Sequence, residues 1–243
     1  MNFSERMRML VRLWKYRLRE ESESIAFMRR QPLFGRTVID VGANKGIYSY
    51  WMSRQVGPRG RVVAFEPQPD LRPHLDDFKQ SFGLANLQIV SQGLSNRPGA
   101  AALRRDKPGA LGASLEPPAP EEDAARATET IDVEVTTLDQ FCAAEKLADV
   151  AFIKCDVEGH ELAVFQGGRE LLQRQRPVLL FECHHHEAER GALFAYLAES
   201  GYDGFFVQSG ERVPYQQFAQ RPYRKHSIKH RNYMFAHRES PAR

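Results

Sequence analysis

Cysteine is scarce in this chain. Cys142, Cys155 and Cys183 are the three among 243 residues, and no two are close enough to form a zinc knuckle. An odd, dispersed set argues against a disulfide framework and for a reducing cytoplasm. Cys155 and Cys183 lie inside apolar, strand-like runs, which reads as small core residues rather than nucleophiles. Long apolar runs are missing as well, so no transmembrane helix is expected. The first 23 residues are charged throughout, unlike a secretory leader. No internal repeat is present. What remains is ordinary for a globular protein, 42% hydrophobic and 27% charged. That is enough for one α/β domain with a full core, plus extensions.

The net charge of +3 is unevenly spread. Residues 1–30 carry eight Lys/Arg and four Asp/Glu, and residues 221–243 carry seven and one. The ends are thus +4 and +6, and the body between them is −7. Basic ends suit a polyanion, a membrane surface or nucleic acid. Solvated tails balancing an acidic body are the favoured explanation, because no aromatic-interleaved RNA motif is present.

A dinucleotide loop, G-x-G-x-x-G, is absent where one would be sought. Residues 38–46 read Val-Ile-Asp-Val-Gly-Ala-Asn-Lys-Gly, with Gly42 and Gly46 but Asn44 at the remaining glycine position. A carboxylate at Asp40 would repel a pyrophosphate and suits a ligand with an amino group and no phosphate. A second apolar run, Arg61–Phe65, ends at Glu66, followed by Pro67. An acid at that strand tip can accept hydrogen bonds from both ribose hydroxyls. S-adenosylmethionine has the amino group, the ribose diol and no phosphate. The alternative is an ordinary strand-to-helix turn with Asp40 as a helix cap.

Three blocks resemble the FkbM family of S-adenosylmethionine-dependent methyltransferases. They are Val38–Gly46, Phe65-Glu-Pro-Gln-Pro69 and Phe152-Ile-Lys-Cys-Asp-Val-Glu-Gly-His-Glu161. Thr137-Leu-Asp139 precedes the last block, and Gly167-Gly168 and Pro177–Glu182 follow it. The Lys-x-Asp-Val-Glu-Gly-x-Glu block is the most restrictive. The resemblance implies a class I methyltransferase fold and, usually, O-methylation of a hydroxyl. It does not identify the acceptor.

The order of elements agrees with that fold. Strands are expected near 37–41, 61–65, 87–91, 132–136, 150–155 and 177–182, with helices near 45–54, 69–82, 138–146, 160–174 and 187–200. Such alternation predicts an α/β, doubly wound, Rossmann-like and mainly parallel sheet of about seven strands. Gly204–Val207 and Tyr233–Ala236 would form the C-terminal antiparallel hairpin. The domain is expected over 35–238, behind an N-terminal helical extension over 1–34. There Met7, Leu10, Val11, Trp14 and Leu18 recur at helical spacing. This amphipathic helix is expected to pack on the domain or on a second copy as a homodimer, with a membrane-surface role as the lesser alternative. Residues 106–130, with four prolines and an acidic run, read as a loop, either a lid or an insertion without a role.

In open α/β sheets ligands bind beyond the carboxyl ends of the strands. Candidate cofactor residues are Asp40, Gly42, Asn44, Gly46, Glu66, Pro67 and Asp156. Candidate catalytic residues are Lys154, Asp156, Glu158, His160 and Glu182. Lys154 and Asp156 point the same way from one strand. The lysine can serve as a cation beside the acceptor, as a desolvated amine base, or in a structural ion pair. Asp156 can reach an amino group or act as base, and His160 has a suitable intrinsic pKa or simply starts a helix. Asp156, Glu182 and His184 are a candidate set for a divalent metal such as Mg²⁺, against a plain solvated loop.

The leading expectation is methylation of a hydroxyl on a sugar, glycan or secondary metabolite. Competing readings are a nitrogen acceptor, a nicotinamide-dependent oxidoreductase and a non-catalytic polyanion-binding module. Acceptor specificity is expected in the 106–130 loop, the 184–190 segment and the 208–232 region.

Overall fold

A computed structural model describes residues 1–116, 129–221 and 230–240. The chain opens with α1 (Phe3–Lys15), a π-helical turn (Tyr16–Glu20) and α2 (Ser22–Arg30). Then follow β1 (Thr37–Val41), α3 (Ile47–Val56), β2 (Arg61–Phe65), α4 (Arg72–Ser81) and β3 (Leu87–Val90). The short β4 (Gly93–Leu94) leads to β5 (Gly99–Arg105), β6 (Glu129–Thr136) and α5 (Leu138–Ala144). The second half holds β7 (Val150–Cys155), α6 (Glu161–Gln166), α7 (Arg169–Gln175), β8 (Val178–His184), α8 (His185–Arg190) and α9 (Ala192–Glu199). It ends with β9 (Tyr202–Gln208), β10 (Glu211–Pro214) and β11 (His230–His237).

Eight strands form one sheet in the order β10-β9-β11-β8-β7-β1-β2-β3. The five from β8 to β3 run parallel, and β11, β9 and β10 are joined by antiparallel pairings. Alternation along each strand splits the core between the two faces. Ile39, Val63, Ile153 and Phe181 face a cluster with Phe165, Phe194 and Phe235. Val38, Val62, Phe152 and Leu180 face a second, with Trp51, Ile25 and Leu13. The free cysteines are buried.

The predicted fold class holds, with corrections in detail. The expected strand near 132–136 belongs to a separate three-stranded sheet, β4-β6-β5. Its burial explains why: Val133 and Val135 are buried while Asp132 and Glu134 are exposed, so one face must meet water. A strand of the doubly covered parallel sheet needs both faces apolar. Strand β10 makes the sheet eight-stranded. The expected helix over 160–174 breaks at Gly167-Gly168, because the chain passes Ser95 so closely there that a Cβ on Gly167 would lie 2.1 Å from the Ser95 carbonyl oxygen. The expected helix over 187–200 breaks at Gly191, whose φ is +72°.

The N-terminal extension packs into the core, but not by the stripe its periodicity suggests. Met9 and Leu13 are buried, with Ile25 and Met28 of α2 behind them. Met7, Val11, Trp14 and Leu18 are exposed. The helix is apolar on two faces, and hydrophobic spacing alone does not say which one meets the domain. Among the described residues, no helix is long and apolar enough to cross a membrane.

This orientation predicts a contrast. Leu13→Ala should lower the unfolding free energy by about 2–5 kcal/mol, as for a buried leucine. Val11→Ala should stay within about 0.5 kcal/mol. Urea denaturation of both variants checks it, and equal losses would reverse the assignment of the faces.

Candidate active site

The parallel register sets the site. Val41 of β1 lies beside Phe65 of β2 and Cys155 of β7, so Asp40, Glu66 and Asp156 end adjacent strands. The 42–46 loop is held down by the Gly42 and Ala43 amides, which donate to the Phe65 carbonyl at 3.0 and 2.9 Å. Gly42 has φ +77°, and a Cβ there would lie 1.9 Å from the Asp156 carbonyl oxygen. Only glycine allows the two strand ends to approach so closely.

A cavity of about 80 Å³ opens at these strand ends. Of the expected cofactor residues, Gly42, Asn44, Glu66, Pro67 and Asp156 line it. Asp40 and Gly46 do not. Asp40 is 1% exposed beneath the loop, where its Oδ2 accepts from Ser49 Oγ at 2.6 Å. Gly46 instead gives room to Phe78 at the start of α3. Glu66 is held rigidly: Oε2 accepts from the Asn44 amide at 2.8 Å and Oε1 from the Gln68 amide at 3.0 Å. Burial raises its pKa, and those two amides oppose the rise.

The described part of the expected 106–130 loop covers this cavity; residues 117–128 lie outside the described residues. Leu111, Gly112, Ala113 and Leu115 form the cover. The Ala110 carbonyl is gripped by Asn44 Nδ2 at 3.2 Å and Gln68 Nε2 at 3.1 Å. Ser114 Oγ donates to the Glu158 carbonyl at 2.6 Å. Gln68 was not singled out in the sequence. Its Oε1 is buried with no partner among the described residues.

Next to the cavity is a charged cluster. Lys154 Nζ sits 2.7 Å from Asp156 Oδ2 and is 3% exposed. Burial works to lower its pKa, but Asp156 and Asp40 outweigh that and raise it. Lys154 therefore stays an ammonium, which favours its role as a cation over that of an amine base. Glu182 Oε2 pairs with His230 Nδ1 at 2.8 Å. Burial and the neighbouring Asp156 raise the Glu182 pKa. Its hydrogen bond to Glu182 raises that of His230 to about 9. Glu158 has φ +54° on the β7–α6 turn, and its Oε2 pairs with His184 Nε2 at 3.1 Å. That turn is braced by buried Glu161, which accepts from the Val157 and Gly159 amides at 2.9 and 3.1 Å.

His160 is placed differently from the catalytic expectation. Its Nδ1 meets Glu116 Oε1 at 2.5 Å and its Nε2 meets Ser95 Oγ at 2.9 Å. With both nitrogens occupied, it ties the cover segment to the turn. Among the described residues, the group able to bind a metal is Glu158, Glu182 and His184, not the expected set containing Asp156. Asp156 is committed to Lys154. An imidazole among the donors does not suit Mg²⁺, which takes oxygen ligands.

The sequence also gave no hint of Glu21. Its Oε2 accepts from Tyr48 OH and Asn232 Nδ2, each at 2.8 Å, linking the N-terminal extension to α3 and β11. A broader cleft of about 610 Å³ opens here, lined by Arg19–Ser24, Val207–Ser209 and His230–Asn232. Glu21 stands in a polar run without periodicity, and only the fold brings it to Tyr48.

Comparison with known proteins bears on the fold and the family. The methyltransferase FkbM domain profile matches residues 40–203, which is 164 of the 243 residues. No curated protein matches the sequence. Among solved structures, a methyltransferase FkbM from Methylobacillus flagellatus is similar at 16% identity with a TM-score of 0.52, over 83% of this chain and 43% of that one. The chain thus spans less than half of that relative's length. A putative rRNA methylase from Clostridium thermocellum is similar at 10% identity, TM-score 0.53, over 90% and 96% of the two chains. A putative methyltransferase from Streptococcus mutans in complex with SAH gives 10% identity, TM-score 0.51, over 90% and 97%. At such identities the structures speak for the fold, and the domain match for the family: the chain belongs to the FkbM methyltransferases.

Proposed function

We propose that this methyltransferase uses S-adenosylmethionine to methylate a hydroxyl group on a sugar, glycan or similar metabolite. The observation that carries the proposal is the meeting of two features at neighbouring strand ends. Rigidly held Glu66 marks a nucleoside-binding side, and the Asp156–Glu182–His230 cluster marks an acid–base side.

The residues fit the cofactor. Each Glu66 oxygen takes one backbone hydrogen bond and keeps acceptor capacity for the ribose diol. Gln68 Oε1, on a residue lining the cavity, is a buried acceptor in need of a donor. S-adenosylmethionine supplies a methyl group made electrophilic by its sulfonium. The chain has to orient the acceptor and take its proton. Glu182 suits the second task, because a carboxylate with a raised pKa is a stronger base. His230, held cationic, fixes the orientation of Glu182, and the Lys154 ammonium steadies Asp156 and the charge that develops nearby.

An amine acceptor is the second reading. The carboxylates Glu21, Asp156, Glu158 and Glu182 would attract a cation. Product analysis decides between the two, since the position of the added methyl group shows whether oxygen or nitrogen was modified.

Three outcomes are expected. S-adenosylhomocysteine should bind in calorimetry, and Glu66→Gln should weaken it by about 10- to 100-fold, as for lost hydrogen bonds to a charged group; unchanged affinity would remove the ribose assignment. Binding should also alter hydrogen exchange over 106–116, because a cavity of about 80 Å³ is smaller than the several hundred Å³ of ordinary ligand pockets. Unaltered exchange there would mean that the cover is not displaced.

Glu182→Gln should lower kcat by about 10²- to 10⁴-fold and leave S-adenosylhomocysteine affinity unchanged. The pH dependence of stability follows from the same pair. The His230 pKa is raised to about 9, so its contribution is complete below the ordinary histidine value and is lost as pH climbs through about 9. Thermal midpoints measured across this alkaline range should fall less for His230→Gln than for the wild type. Superimposable curves would show that the pair does not form.

A further inference from the structure

The packing of α1 by Met9 and Leu13 leaves its opposite face apolar and open. Phe3, Met7, Val11 and Trp14 are 80%, 46%, 64% and 46% exposed. At about 100° per residue they fall within an arc of about 80°. Leu18, in the π turn that follows, is 65% exposed. Trp14 meets the core edge-on at Trp51, with ring centroids 5.5 Å apart, and neither the cavity nor the broad cleft is lined by the stripe.

Between Glu5 and Glu20 the charge beside the stripe is of one sign. Arg6, Arg8, Arg12, Lys15, Arg17 and Arg19 are the six charged residues from position 6 to position 19, with no acid among them. Arg6, Arg8, Lys15 and Arg19 are exposed. Lys15 pairs with Glu20, and Arg17 stacks on the Trp14 and Trp51 rings. A long apolar stripe with a tryptophan, edged by basic side chains whose stems can lie along it, matches a helix seated in a lipid headgroup layer. A second copy is a poorer match. Pairing this face with itself would bring the two sets of cations together with no acid between positions 6 and 19 to offset them.

We infer that the exposed face of α1, Phe3–Met7–Val11–Trp14–Leu18 with its arginine and lysine edge, docks on an anionic lipid bilayer. The segment leaving that face, Arg19–Ser24, forms a wall of the broad cleft that also holds His230 and Asn232. Docking therefore brings this cleft to the headgroup layer. Trp14 enters the interface, and the domain stays in water.

Co-sedimentation of the full chain with vesicles tests this. Binding is expected to mixed phosphatidylcholine–phosphatidylglycerol vesicles and not to phosphatidylcholine alone, and it should weaken as salt rises. Tryptophan emission should shift to the blue on binding. A double variant, Val11→Glu with Leu18→Glu, alters exposed positions and should keep its melting temperature while losing at least about tenfold in vesicle partitioning. No binding to anionic vesicles by folded protein would overturn the inference, as would equal binding to neutral ones or an unaffected variant. A dimer seen by sedimentation equilibrium and abolished in the variant would assign the face to a second copy instead.

Discussion

A buried ammonium has to be neutralised by fixed partners, and much of the site depends on how this chain does so. Lys154 is 3% exposed in the middle of the sheet. Leaving it unpaired would cost several kcal/mol, since a desolvated charge loses its water and gains nothing. Asp40, its register neighbour on β1, and Asp156, just past the end of β7, supply the compensation. The consequences spread outward. Asp156 is held at the strand end, its carbonyl beneath Gly42, and Asp40 is kept below the loop as a counter-charge. A carboxylate that looks like a ligand contact in the sequence is thus a support for the residues that line the cavity.

Around this clamp the site divides its work. Glu66 and the 42–44 loop are fixed by hydrogen bonds to backbone amides and carbonyls, so this wall of the cavity is rigid. The charged cluster beside it is built from pairs. Glu182 with His230 and Glu158 with His184 each balance a partly buried carboxylate against an imidazole. Such pairs hold charge at the strand ends without exposing it to bulk water, where it would be screened. The described part of the cover is held by the bonds to the Ala110 and Glu158 carbonyls, the Arg104–Ser114 backbone pair and the Glu116–His160 contact.

The N-terminal extension belongs to both the core and the site. Its buried side joins the sheet through Leu13, Ile25 and Met28, and Glu21 reaches Tyr48 and Asn232 at the edge of the broad cleft. Its outer side is left apolar and cationic. One segment therefore ties the fold, shapes the mouth of the cleft and presents a surface to the outside.

Local pattern determined a good deal by itself. The strand–glycine–helix order, the acid at the tip of β2 and the Lys154–Glu161 block fixed the fold class and most of the cavity lining, because these depend on residues near one another in sequence or on a repeating strand period. Tertiary structure decided the rest. It placed Asp40 under the loop, tied His160 to Ser95 and Glu116, replaced Asp156 by Glu158 beside Glu182 and His184, and recruited Glu21, Gln68 and His230. It also chose which apolar face of α1 to bury. Most of these depend on partners brought together from distant positions, 65 residues apart for His160 and Ser95 and 211 for Glu21 and Asn232. A side chain's chemistry is set by what folding puts beside it, and periodicity carries no record of that.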